Sequence, residues 1–229
     1  IYERILREGE YLAGYEERQL HDASLVIYTS GSTGMPKGIL HEWGNIEMQA
    51  SLIGEKEYWE ELQQGLIAPF YFMAAWQFMI HYILRVNTVH ILPHDLVRDF
   101  RKLTKYLEDK RIEEIFLSPS YLRLYRKPSP YMKEFITAGE PANGLYYPGG
   151  KPAIRNLVGM SEGGVTLLET ILDRAYDVAP VGKPVLEALD VHLIDEDGNR
   201  IEGPGTGEMC FNSPYVRGYI NLPEKTKAV

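Results

Sequence analysis

Tyr28-Thr29-Ser30-Gly31-Ser32-Thr33-Gly34-Met35-Pro36-Lys37-Gly38 follows directly on the apolar run Leu25-Val26-Ile27. From Tyr28 to Gly34 every residue bears a hydroxyl or is glycine, so the stretch cannot build a core. It can wrap an anion: glycines let backbone N–H groups approach closely, hydroxyls add donors, and Lys37 brings a point positive charge. The anion that suits such a loop is a nucleotide polyphosphate. A Gly/Ser/Thr cluster between strands is more often only a turn, and spacing sharpens the choice. A Walker loop also places a glycine six residues before its lysine, as Gly31 and Lys37 stand here, but it needs glycine just before the lysine and Ser/Thr just after it. Pro36 and Gly38 occupy those places, so this is not a Walker loop.

The 229 residues are 45% hydrophobic and 24% charged, enough to bury a substantial core and inconsistent with disorder. A net charge of −8 gives no general attraction to nucleic acid or to an anionic membrane. The single cysteine, Cys210, excludes an intrachain disulfide and a cysteine-rich metal site, which fits a reducing, cytoplasmic setting. No segment has the unbroken apolar length of a membrane span. His21, His41, His81, His90, His94 and His192 show no metal-ligand spacing and read as structural or exposed. Ile1 at the start and Lys227-Ala228-Val229 at the end read as cut ends of a longer chain.

Residues 1–21 read as a charged lead-in. Residues 24–30 read as a buried strand, Gly38-Ile39-Leu40 as another, and Asn45 to Ile53 as a helix ended by Gly54. Strand and helix patterns then alternate: strand at Leu66-Ile67-Ala68, helix Ala74 to Leu84, strand Thr88 to Leu92, helix Leu96 to Leu107, strand Ile112 to Leu117. Such alternation predicts an α/β fold with a parallel sheet flanked by helices, ligands sitting outside the carboxyl ends of the strands. The phosphate-type loop follows a strand, which agrees with that placement. Phe135 to Ala138 and Ile154 to Val158 are further strands running into glycine turns. Beyond Val181 the alternation Leu189 to Ile194, the Asp197-Gly198 turn and the strand Glu208 to Phe211 predict an antiparallel β appendage. The expected division is 22–184 as an α/β nucleotide- and substrate-binding unit and 185–229 as the beginning of a β-rich one.

The opening stretch resembles the phosphate-binding signature Y-T-S-G-S-T-G-x-P-K-G of the adenylate-forming superfamily, which includes amino-acid adenylation domains, D-alanine–carrier protein ligases and acyl-CoA synthetases. Further matches follow in the family's order: Thr137-Ala138-Gly139-Glu140; Asn156-Leu157-Val158-Gly159-Met160-Ser161-Glu162; Val181-Gly182-Lys183-Pro184; Gly207-Glu208-Met209; Val216-Arg217-Gly218-Tyr219; and Pro223-Glu224-Lys225-Thr226. The resemblance implies the central part of the family's large N-terminal domain, with ATP and Mg2+ as cofactors. It implies that Thr29, Ser30, Gly31, Ser32, Thr33, Gly34 and Lys37 hold phosphates, and that Gly139, Glu140, Val158 and Gly159 lie at the adenine side. It also implies that Ser161 holds a phosphate oxygen, that Glu162 binds the metal, and that Lys37 and Glu162 are the catalytic groups. The plain alternative for Ser161 and Glu162 is a cap on a following helix. Arg217-Gly218-Tyr219 reads as structural.

Carried over residue by residue, the resemblance places Phe72, Met73, Trp76, Phe116, Ile136, Ala138, Leu157, Val165 and Thr166 around the acid. Phe72 stands where the amino-acid-activating branch carries an aspartate, and a buried ammonium without a counter-charge is strongly disfavoured. With Thr166 alone polar, these side chains suit an apolar aryl, short acyl or 2-oxo acid. Val158 replaces the usual tyrosine against adenine, and the later T-G-D motif and the C-terminal domain with its lysine are not within the chain. The expected activity is adenylation of a carboxylic acid with release of pyrophosphate, then acyl transfer to a carrier-protein phosphopantetheine or coenzyme A. The fragment alone is expected to be inactive, with no nucleic-acid or membrane partner. A degenerate domain that binds nucleotide or partners without chemistry is the alternative.

Overall fold

A computed structural model describes residues 17–29, 35–54, 61–164, 166–186, 189–203 and 205–228. Its centre is a seven-stranded sheet in the order β4-β3-β5-β6-β7-β8-β9. The strands are Gln63–Leu66 (β3), Thr88–Ile91 (β4), Glu114–Phe116 (β5), Glu134–Ala138 (β6), Ala153–Gly159 (β7), Thr166–Ile171 (β8) and Lys183–Pro184 (β9). From β4 through β7 all pairs are parallel, whereas β8 and β9 add antiparallel. The parallel part is the sheet expected from the strand–helix alternation.

Both faces of this sheet are covered, and the strands' two-residue period sorts the side chains between them. Ile115, Phe135 and Ile154 pack on one face with Leu103 and Leu107 of helix Phe100–Asp109, and with Leu122 of helix Pro119–Leu124. Ile136 and Leu157 pack on the other with Leu66 and with Phe78 and Tyr82 of helix Met73–Leu84. We number the helices α1 (Trp43–Gly54), α2 (Met73–Leu84), α3 (His94–Val97), α4 (Phe100–Asp109), α5 (Pro119–Leu124) and α6 (Pro223–Thr226). The expected single helix from Leu96 to Leu107 is two, α3 and α4. The reason is Asp99, whose carboxylate accepts from the backbone N–H groups of Arg101 and Lys102 and starts a new helix. Strand β3 also begins earlier than Leu66-Ile67-Ala68 suggested.

A second correction concerns the opening stretch. Strand β1 (Ala23–Thr29) is outside the parallel sheet: it pairs antiparallel with β2 (Lys37–Glu42), and β2 in turn with β12 (Val216–Tyr219). Its position at a sheet edge leaves Val26 39% and Tyr28 64% exposed, so only Ile27 is buried. The apolar run had suggested a fully buried strand; it is a half-covered one. Strands β10 (Val191–Ile194) and β11 (Glu208–Phe211) form the expected antiparallel pair. Arg217 fastens β12 to β2: its Nε donates to Glu42 at 2.8 Å, while His21 Nδ1 donates to the same buried carboxylate at 2.6 Å. Among the described residues no helix is long and apolar enough to cross a membrane.

Glu114 opens β5 and is buried, accepting from Gln64 Nε2 at 2.8 Å. Burial, with Glu134 adding repulsion, raises its pKa to about 7. The fold therefore favours the protonated form, and this contribution is complete below the ordinary carboxylate range and is lost as pH rises through 7. Glu114→Gln keeps the oxygen that accepts from Gln64 and removes the titration. The variant should melt higher than wild type at pH 8, with the gap closing by pH 5; a gap independent of pH would refute this account.

Candidate active site

The turn after β7 is where separate segments meet. Gly163 N–H donates to Met160 O at 3.0 Å and Gly164 N–H to Ser161 O at 3.2 Å, turning the chain directly into β8. No helix follows, so Ser161 and Glu162 are not a helix cap. Gly164 has φ of +73°, and a Cβ there would lie 1.9 Å from Asn45 Nδ2. Helix α1 seats the turn by hydrogen bonds: Gln49 Nε2 donates to Gly164 O at 3.0 Å and to Asn45 Oδ1 at 2.8 Å. Asn45 Nδ2 lies 3.2 Å from His41 Nδ1. Burial lowers the His41 pKa to about 4, with the Glu162 charge opposing, so the imidazole is neutral near pH 7.

Glu162 itself turns toward β12. Tyr219 donates its phenolic proton to Glu162 Oε1 at 2.8 Å, and Lys37 Nζ lies 5.0 Å from the centre of the Tyr219 ring. Burial first, and then this hydrogen bond, push the Tyr219 pKa up to about 12, so it stays a donor. Lys37, Tyr219 and Glu162, from three separate parts of the sequence, thus form one cluster. The role of Tyr219 was missed because Arg217-Gly218-Tyr219 reads as a turn; Gly218, at φ +107° against Thr226, and Arg217 do fit that reading. Its signal was position alone, one residue after a glycine in a strand with register against β2.

Thr29 and Lys37 are partners across the β1–β2 ladder, so they close the two ends of the glycine-rich loop. Ser30, Gly31, Ser32, Thr33 and Gly34 lie outside the described residues, as does Val165. Gly139 and Gly159 stand at the carboxyl ends of neighbouring parallel strands β6 and β7. Gly139 has φ of +84° with open space where a Cβ would be, so its need for glycine is conformational. The Glu140 carboxylate accepts from both the backbone N–H and the hydroxyl of Ser120 at the start of α5. Val158 is half-buried against the cluster of Leu167, Leu168, Leu186 and Leu189.

Of the positions assigned to the acid pocket, Phe116, Ile136, Ala138 and Leu157 share one apolar cluster with Phe78. Beside it, between α2 and the sheet, lies a cavity of about 280 Å³ lined in part by Ile136, Leu157 and Thr166. Phe72, Met73, Trp76, Phe116 and Ala138 are not among its lining side chains. Phe72 stands at the start of α2, 55% exposed, with its ring 4.8 Å from that of Tyr71. Trp76 donates its indole N–H to Phe70 O at 2.8 Å. Gln77, not assigned to the pocket from sequence, donates to Thr166 Oγ1 at 2.6 Å inside it.

A sheet whose carboxyl ends carry Gly139 and Gly159, next to a hairpin presenting Lys37, is the fold of adenylate-forming enzymes. It superimposes on O-succinylbenzoate coenzyme A synthetase from Bacillus subtilis in complex with AMP, with a TM-score of 0.76 at 18% identity over 92% of this chain and 45% of that one. Residues 8–220 match the AMP-binding enzyme family, and the chain belongs to that family of adenylate-forming ligases. It is 30% identical over 214 residues, 90% of its length, to tyrocidine synthase 2 of Brevibacillus parabrevis, covering 6% of that protein. To the D-alanine–D-alanyl carrier protein ligase of Lacticaseibacillus rhamnosus it is 25% identical over 229 residues, covering 90% of this chain and 44% of that one. The chain spans less than half the length of each.

Proposed function

We propose that the full-length protein adenylates a carboxylic acid with ATP and then passes the acyl group to a thiol. A carboxylate oxygen attacks the α-phosphorus of ATP, the bond to the bridging oxygen breaks, and pyrophosphate leaves. A carrier-protein phosphopantetheine or coenzyme A thiol then attacks the acyl carbon and AMP leaves. The observation that carries this reading is the Lys37–Tyr219–Glu162 cluster, beside the ends of β6 and β7 and at one end of the glycine-rich loop. Thr29 to Gly34 and Lys37 would hold the phosphates; Gly139, Glu140, Val158 and Gly159 would face the adenine, and Ser161 a phosphate oxygen. Much of the catalysis would then come from positioning and charge neutralisation.

Magnesium fits the residues present. Among the described residues no group of three or more His, Cys, Asp or Glu side chains is arranged to hold a metal, and magnesium does not require one. It binds through one or two carboxylates together with phosphate oxygens and water. Tyr219 donates to one oxygen of Glu162, and that bond would hold the carboxylate in place for such a role. When bound, the ion would neutralise phosphate charge; Glu162 would anchor it.

The test is magnesium-dependent ATP–pyrophosphate exchange by the full-length enzyme over a panel of carboxylic acids. Exchange with at least one acid is expected, and none with any acid despite ATP binding would favour a degenerate binding domain. With Phe72 at the start of α2, deaminated acids should exceed their α-amino counterparts by about 10-fold or more in kcat/KM. Equal exchange within a matched pair would overturn that preference. The 229 residues alone, less than half the length of their relatives, are expected to be inactive, and the enzyme is proposed to be cytoplasmic.

A further inference from the structure

Two opposite charges at the site stay unpaired, although the fold pairs such charges elsewhere. Arg155 bonds Glu134 and Glu169 at 3.1 Å each, and Lys133 lies 3.0 Å from Glu113. Lys37 and Glu162 are both half-buried and both reach Tyr219, yet among the described residues neither forms an ion pair. The phenol stands there instead. The Lys37 ammonium sits over the ring, 5.0 Å from its centre, and the Glu162 carboxylate accepts from the hydroxyl at the ring's edge at 2.8 Å. A ring face attracts a cation through its quadrupole and a hydroxyl offers a carboxylate its proton, and neither contact cancels a charge. A lysine on its flexible four-carbon stem would otherwise close on a carboxylate this near.

Several features of β12 and α6 hold that ring, and they are the parts of the R-G-Y and P-E-x-T motifs that bind nothing themselves. The register between β12 and β2 shifts between Val216 and Gly218, a bulge that sets Arg217 against Glu42 at 2.8 Å. Gly218 follows at φ +107°, and a Cβ there would lie 2.2 Å from Thr226 Cγ2, so glycine is what lets α6 close against the strand. The Thr226 hydroxyl accepts from the Tyr219 N–H at 2.9 Å and donates to Leu222 O at 3.2 Å. The backbone at Tyr219 is thereby tied both to β2 and to α6.

We propose that Tyr219 is a positioning residue that keeps Lys37 and Glu162 from pairing with each other, leaving the ammonium open to the nucleotide's phosphates and the carboxylate to magnesium. The inference deepens the adenylation reading and rests on it. Tyr219 takes no part in the transfer. A nucleotide meeting a Lys37–Glu162 pair would bind only the fraction of molecules in which the pair is broken, and the spacer removes that loss.

The experiment measures MgATP binding to the full-length protein by calorimetry, beside ATP–pyrophosphate exchange, for Tyr219→Leu and Tyr219→Phe. Tyr219→Leu should bind MgATP about 5- to 10-fold more weakly, the equivalent of one ion pair that must first be broken. Tyr219→Phe keeps the ring under the ammonium, so its affinity should stay within about threefold of wild type while kcat falls with the lost bond to Glu162. A double-mutant cycle adds a readout that a merely structural residue would not move. In wild type the melting shifts of Lys37→Gln and Glu162→Gln should nearly add; in Tyr219→Leu they should not, because each then removes the same pair. Additive shifts in the Tyr219→Leu background, or MgATP binding by that variant equal to wild type, overturns the spacer role and leaves adenylation standing. If Tyr219→Leu does not fold, Tyr219→Phe decides alone: an affinity lowered by about fivefold or more would assign the effect to the hydrogen bond and overturn the proposal. Wild-type protein that neither binds MgATP nor exchanges with any acid in a broad panel overturns both readings.

Discussion

Glu162→Gln in the full-length enzyme is expected to lower magnesium-dependent ATP–pyrophosphate exchange by about 100- to 1,000-fold, the range seen when one group stabilising transition-state charge is removed. The substitution is nearly isosteric, and the Gln side-chain oxygen can still accept the Tyr219 proton that Glu162 Oε1 accepts at 2.8 Å. What disappears is the negative charge. An anchor for magnesium needs that charge, because an amide oxygen competes poorly with water for so strongly hydrated a cation. The loss should therefore fall on kcat and be partly relieved by raised magnesium, with the melting temperature close to wild type. Exchange within threefold of wild type, with an unchanged magnesium requirement, would remove Glu162 from the metal role.

Gly164→Ala is expected to destabilise the protein by about 2–5 kcal/mol, from two costs that add. The backbone at φ +73° is left-handed, which costs a residue with Cβ about 1–2 kcal/mol. The new methyl would also lie 1.9 Å from Asn45 Nδ2 and 2.9 Å from Val216 Cγ2, and overpacking costs about 1–3 kcal/mol. Asn45 cannot yield freely, because its amide is held by Gln49 and approaches His41. A partner substitution tests the argument: in an Asn45→Ser background the overpacking part should shrink and the backbone part remain, which a double-mutant cycle on urea midpoints resolves. Equal costs in both backgrounds would show that the backbone alone matters.

The reach of sequence reasoning follows the range of the interactions. The parallel sheet was legible because its strands and crossover helices carry two- and 3.6-residue periods within short windows, as at Thr88 to Leu92 and Ala74 to Leu84. The helix beginning near Asn45 and the antiparallel pair near 191 and 208 were legible for the same reason. Asp99 shows a local signal that was present and outweighed: a short acidic side chain followed by free N–H groups is a helix start, hidden inside an apolar pattern that continues across it. Strand β1 misled because an apolar run looks the same at a sheet edge as at a sheet centre.

The sequence by itself determined the family, through an ordered series of motifs. It also determined the α/β class and the residue types at the ends of β6 and β7, since these are written in contiguous stretches. Tertiary structure alone decided that the glycine-rich stretch joins an antiparallel hairpin outside the parallel sheet, and that Tyr219 stands between Lys37 and Glu162. It alone joined Gln77 to Thr166 inside the cavity. Those pairings span 57 residues between Glu162 and Tyr219 and 89 between Gln77 and Thr166. At such separations no periodicity links the partners, and only the packing of α2 and β12 against the sheets brings their polar atoms within hydrogen-bond distance.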